Sequence, residues 1–180
     1  MILRSPIVID VINFKRSESW KMYSVDDDFQ FNDQDIYRIK AICNEPLVYQ
    51  WLFKEKLNGK PYSIEKAEGF IKWAQAGWID QKYFVFIVRD INGVIQAAVD
   101  IKSNNFDLAE VGYWASGDKP GIMTNAIQAL IGLATEAGYK RLFSDIQQSN
   151  EKSINVVKRC GFNVKRPFSC TRSVNSWRRI

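Results

Sequence analysis

Glu110-Val111-Gly112-Tyr113-Trp114-Ala115-Ser116-Gly117-Asp118-Lys119-Pro120-Gly121-Ile122-Met123-Thr124-Asn125-Ala126 changes its pattern in mid-course. Its first residues read as a strand, spanning residues 108–115. From Ile122 the period lengthens. Ile122, Ala126, Ile127, Leu130, Leu133, Ala134 and Ala137 fall on one helical face, and Gly138 ends the run. Residues 141–146 read as a further strand, and 150–160 as a helix with Ile154, Val157 and Cys160 inward. Strand, helix and strand in succession form a crossover, so the strands at 108–115 and 141–146 should be parallel neighbours. The turn before the first helix places backbone N–H groups at a helix start, where the dipole also favours an anion.

Outward from this stretch, residues 83–89 and 94–101 are strong strand signals, joined by the hairpin turn Asp90-Ile91-Asn92-Gly93. With 108–115 they make an antiparallel meander. Three helices precede it. Asn32 or Asp33 caps the first, which carries Ile36, Ile39, Ile42 and Cys43. Pro46 opens the second, and Asn58-Gly59-Lys60-Pro61 closes it. Ser63 caps the third, which Gly77 is expected to stop. Residues 7–14 read as a strand and 15–32 as a polar loop, with Asp26-Asp27-Asp28 at its centre. Two short strands, 162–168 and 173–180, are expected at the end. The fold class is α/β (α+β): a mixed, mostly antiparallel central sheet with helices on both faces, in one domain over residues 1–180.

Composition narrows the chemistry. The chain has no histidine, which excludes a histidine-based triad, a histidine general base and most catalytic zinc schemes. Cys43, Cys160 and Cys170 are scattered, without metal-ligand spacing, and suggest a reducing compartment. No metal is expected. The first residues do not read as a signal peptide, since Asp10 and Lys15 interrupt the early apolar stretch, and no apolar run approaches membrane-spanning length. A cytoplasmic protein is the expectation. The net charge of +5 permits an anionic ligand without calling for nucleic acid.

The order of elements and several motifs resemble the Gcn5-related N-acetyltransferases (GNAT), in the branch that includes the ribosomal-protein N-acetyltransferases. The resemblance spans roughly residues 36–162. It rests on Ala41-Ile42-Cys43-Asn44-Glu45-Pro46, on Ser63 through Trp78, on Glu110-Val111-Gly112-Tyr113-Trp114, on Asn150-x-x-Ser153, and on Gly161-Phe162. It implies acetyl-CoA as cosubstrate and an amine as acceptor. It places Glu110 as the base, with Asp100 as an alternate. The backbone of Tyr113, Trp114 and Ala115 would line the pantetheine arm, and Gly121, Ile122, Met123 and Thr124 would hold the pyrophosphate. Asn150 would hold the arm, and Ser153 would approach the sulfur and protonate the departing thiolate. The helix tyrosine that many relatives use as the acid is absent, with Val157 in its place. The turn also departs from the family pattern. Lys119 stands where a glycine is usual, next to Pro120, which has no N–H. Lys119 is the residue that would replace the lost donor with a full charge.

Amine chemistry favours one acceptor class. A lysine amine has a reference pKa of about 10.4 and an α-amine about 7.8, a gap worth about 3.5 kcal/mol of deprotonation. A site with one carboxylate base suits the α-amine of a peptide or protein N-terminus, with small-molecule amines as the other class. Direct attack in a ternary complex is expected, in a monomer or homodimer. A CoA-binding or protein-interaction module without activity is the alternative reading, and a basic nucleic-acid-binding protein, supported only by C-terminal charges, is the third.

Overall fold

The strand Ala109–Ala115 (β5) is held on one side by Ile95–Ile101 (β4), antiparallel, and on the other by Arg141–Asp145 (β6), parallel. The computed structural model describes residues 3–165 and 169–173. An eight-stranded mixed sheet forms the centre, in the order β1-β2-β3-β4-β5-β6-β8-β7. The remaining strands are Val8–Asn13 (β1), Glu18–Ser24 (β2), Phe84–Arg89 (β3), Asn163–Lys165 (β7) and Ser169–Ser173 (β8). Every neighbouring pair is antiparallel except β5–β6, as the crossover reading requires.

Helices cover both faces. Asp33–Cys43 (α1), Pro46–Leu52 (α2) and Ile64–Ile79 (α3) precede the meander; Met123–Ala137 (α4) and Glu151–Arg159 (α5) follow it. The period-two alternation of β5 shows which helices lie where. Trp114 packs against Phe70 of α3, whereas its neighbour Tyr113 donates its hydroxyl to the Ser153 carbonyl of α5. The first five residues of β3 are buried, as expected for a strand covered on both faces. Among the described residues no helix is long and apolar enough to cross a membrane.

Local chemistry explains the boundaries. Asn32 caps α1 in a reciprocal box with Asp35. Pro46 sits in the first turn of α2. Gly138, in the left-handed region at φ 99°, ends α4. Three readings change. Residues 15–32 are not one loop: β2 forms within them and buries Trp20, Met22 and Ser24 on alternate positions. α3 does not stop at Gly77 but runs to Ile79, because the Tyr83 ring packs on the bare face of that glycine. Among the described residues a strand not expected there, β8, forms before residue 174; residues 174–180 of the strand expected at the end lie outside the described residues, as do 166–168 of the strand expected before it.

A buried ion pair ties α1 to the meander, alongside the Arg38 bonds to Ile95 and Gln96 of β4. Both oxygens of Asp35 accept from the Arg89 guanidinium at 2.8 Å, and both side chains are largely buried. Asp35→Ala leaves that guanidinium unpaired and removes half of the capping box. We expect a loss of about 3 kcal/mol in urea unfolding, with part regained when Arg89→Met is added. A cost below about 1 kcal/mol would place α1's anchorage elsewhere.

Candidate active site

β5 and β6 pair over only two positions, Ala109 with Leu142 and Glu110 with Phe143, and then part. A cleft opens between them. One wall is Glu110, Val111, Gly112 and Tyr113; the other is Ser144, Asp145, Ile146 and Gln147. Trp51 and Leu52 close it from the α2 side, and Asn150 and Ser153 from the α5 side. The gap therefore runs through the sheet. A shallower groove continues from it along Trp51, Lys54, Glu55, Asn58 and Gln147.

The register shows which backbone groups face the gap. Lys102 donates its N–H to the Glu110 carbonyl, and Ser116 donates to Gln96. Antiparallel bonding repeats every second residue, so Glu110, Gly112 and Trp114 spend their backbone groups on β4. Val111, Tyr113 and Ala115 turn theirs the other way. Of Tyr113, Trp114 and Ala115, the first and third turn their backbone groups to the gap and Trp114 turns its to β4. Its side chain is core, and Val111 completes the row.

Glu110 lines the cleft, ion-paired with Lys102. Asp100 stands beside them, directly across from Gly112 on β4. Burial pushes the Asp100 carboxyl up to about 6; Lys102 pulls against this and Glu110 adds to it. A side chain on Gly112 would not fit, since its Cβ would meet Lys102 Cε at 2.7 Å and Asp100 Oδ1 at 2.8 Å. On the opposite side, Asn150 caps α5 by accepting from the Ser153 N–H at 3.2 Å. The Ser153 carbonyl accepts from the Tyr113 hydroxyl, also at 3.2 Å. Val157 is buried. Cys43 is no nucleophile, since burial pushes its thiol up to about 12. The Cys170 side chain lies outside the described residues.

The turn after β5 is held by the protein's own groups. Ser116 donates to Glu45 at 2.7 Å, and Glu45 also accepts the Gly117 N–H at 2.6 Å. Arg38 reaches Ser116, Asp118 and Gln96. Lys119 is turned inward, its ammonium 2.5 Å from the buried Asp90 carboxylate. It does not stand in for the missing backbone donor at the helix start. What remains is Gly121 and the first turn of α4. Gly121 has φ 116°, and a side chain there would run into Asn13 and Lys15 of the β1–β2 hairpin. Ile122 and Met123 are buried and begin the helix, which has no side-chain cap and no acid in its first turn. The Thr124 hydroxyl accepts from Arg159 at 3.0 Å.

A family model described as an acetyltransferase (GNAT) domain matches residues 29–163. The chain belongs to the GNAT acetyltransferase family. No curated protein matches its sequence. Solved structures agree on the fold at low identity. RimJ from Mycobacterium smegmatis, in complex with CoA-disulfide, superposes with TM-score 0.75 at 12% identity, covering 99% of this chain and 93% of that one. A ribosomal-protein-S5-alanine acetyltransferase from Vibrio fischeri gives TM-score 0.66 at 18% identity over 89% and 96%. The spermidine N-acetyltransferase of Vibrio cholerae, in complex with CoA and spermine, gives 0.62 at 15% over 81% and 93%.

Sequence reasoning missed Lys102, Arg38 and Glu45 as parts of this candidate site. Lys102 was visible in principle: it lies two residues beyond Asp100, so strand alternation puts both on one face with Glu110.

Burial pushes the Asp90 carboxyl up, but Lys119, two backbone N–H groups and Gln96 together hold it below the ordinary value of 3.8. A lowered carboxylate stabilises the fold above that value and loses its contribution as pH falls through the lower folded value. Lys119→Met should cost about 3 kcal/mol at pH 7. It should also flatten the fall in urea stability as pH drops below the ordinary carboxyl value of 3.8. An unchanged acid slope would show that the pair is not what holds the turn.

Proposed function

We propose that the protein is an acetyl-CoA-dependent N-acetyltransferase acting on a primary amine, with a peptide or protein N-terminus as the favoured acceptor class. The observation that carries this is the cleft between β5 and β6. It brings a carboxylate from one face of the sheet and a serine from the other to a strand edge of the kind that accepts an extended chain. Val111, Tyr113 and Ala115 would pair with the pantetheine arm, and Asn150 would support it. Gly121, Ile122, Met123 and Thr124 would hold the pyrophosphate at the start of α4, where N–H groups converge and Arg159 adds positive charge. Lys119 is left out of this set, because Asp90 holds its ammonium.

Acetyl-CoA supplies an activated thioester. Glu110 takes a proton from the incoming amine, whose nitrogen then bonds to the acyl carbon. A backbone N–H of β5 steadies the developing oxyanion. As the carbon–sulfur bond breaks, the Ser153 hydroxyl passes a proton to the sulfur and takes up the one that leaves the newly bonded nitrogen. No covalent enzyme intermediate is involved. The acceptor would lie along the groove from Trp51 to Asn58. We further propose a single domain, in the cytoplasm, where this cosubstrate is available.

A binding module without turnover is the second reading. It is favoured by the Glu110–Lys102 ion pair, which occupies the base, and by the self-bonded turn. Thermal melting and thiol release separate the two. Acetyl-CoA should raise Tm at saturating concentration, and Gly121→Asp should abolish the shift by putting a charged side chain into the crowded turn. Thiol release should then appear with an α-amine peptide, and Glu110→Gln should lower it about 10²–10⁴-fold. A Tm shift without thiol release on any amine would favour the binding module. No Tm shift would contradict both.

A further inference from the structure

Three charged side chains crowd one face of the sheet beside the cleft. Glu110 and Lys102 are paired, with side chains 31% and 43% exposed. Asp100 Oδ1 is buried and has no hydrogen-bond partner among the described residues. A buried carboxylate oxygen without a partner is costly and calls for a reason. The space left by Gly112 supplies one. The Lys102 side chain and the Asp100 carboxylate meet over it, since Lys102 Cε and Asp100 Oδ1 both lie within 3 Å of the point a Gly112 Cβ would occupy. The ammonium, one bond beyond Cε, can reach either carboxylate by side-chain rotation alone. Lys102 and Glu110 are the charged groups that act on Asp100; across from it on β3 stands Val85, which is uncharged.

Two carboxylates and one lysine leave the cluster one positive charge short of balance. We propose that Asp100 is the second seat of the Lys102 ammonium: an acceptor that enters as an ammonium ion takes the place of Lys102 on Glu110, Lys102 turns to Asp100, and Glu110 is released to act as base. This rests on the acetyltransferase reading and deepens it, by assigning the site to acceptors that arrive charged. One proton of the ammonium passes to Glu110, and the neutral amine attacks the acyl carbon. The second leaves the nitrogen after the carbon–nitrogen bond forms and reaches the departing sulfur through Ser153. Asp100 touches neither reactant and is a positioning residue. In the resting protein its oxygen stays unpaired, which is a cost in stability held for function.

One arm of the test needs no turnover. The Asp100 carboxyl is followed by carbon NMR through a pH titration of the wild type, Glu110→Gln and Glu110→Gln/Lys102→Met. In Glu110→Gln, Lys102 has only Asp100 to pair with, so the Asp100 titration should fall by about 1–3 pH units. In the double variant it should move back up. If the single and double variants titrate together, Lys102 does not reach Asp100 and the proposal is overturned.

The second arm measures thiol release with acetyl-CoA and an alanyl peptide amide. Asp100→Asn should keep the wild-type Tm or exceed it, since an unpaired buried charge is removed, yet lower kcat/KM at least about tenfold. Adding Lys102→Met should restore most of that loss, because Glu110 is then no longer covered. A double variant as impaired as Asp100→Asn would mean that Asp100 matters for packing alone. A wild type that releases no thiol with any amine overturns the acetyltransferase reading, while the NMR arm still decides whether Lys102 changes seats.

Discussion

The parting of β5 from β6 is the constraint on which the rest of the structure depends. A parallel pair that stops after two positions leaves a strand edge inside the protein, and edges of that kind are normally covered or paired. Here β5 is bonded to β4 along its length, so the edge is rigid and its geometry is set before any ligand arrives. The crossover helix α4 covers the face opposite α3. Its start lies just past the end of β5, so that one short segment, residues 116–122, connects the strand edge to a helix N-terminus.

Charge placement follows from the same geometry. At one end of β5, the Glu110–Lys102 pair sits at the cleft with Asp100 beside it. At the other, Lys119 reaches inward to Asp90, and Glu45 and Arg38 bond the turn. The second group has every carboxylate partnered and acts to fix the backbone. The first leaves a buried carboxylate oxygen without a partner. Two lysines a short distance apart in sequence thus have different parts: one is spent on structure, and the other stands where chemistry is proposed.

Much of this was readable in the sequence, and the failures have physical causes. The change of period between Trp114 and Ile122 gave the strand, the helix and the parallel partner. Pro46, Asn32 and Gly138 marked their boundaries because their backbone preferences are local. β2 was hidden because Glu18, Lys21 and Ser24 carry weak strand propensity, and only pairing with β1 and β3 makes the strand. Gly77 was misread because its reason is tertiary, the Tyr83 ring. Glu110, Asn150 and Ser153 were placed by resemblance, and the structure brings all three to one cleft. Trp114 was also placed by resemblance, and Lys119 as the charge that would replace a lost donor in a turn that departs from the family pattern. The first fails because backbone direction alternates along a strand, and the second because Asp90, nearly thirty residues away, claims the ammonium.

The central claim is that the open edge of β5 is where the cosubstrate arm pairs. Residue-resolved amide hydrogen exchange with and without CoA tests it without requiring turnover or a known acceptor. The amide of Ala115, which faces the gap, should slow on adding CoA. Those of Gly112 and Trp114, already bonded to β4, should change little. Exchange that stays the same at Ala115 while CoA is bound would contradict the claim and place the ligand elsewhere on the fold.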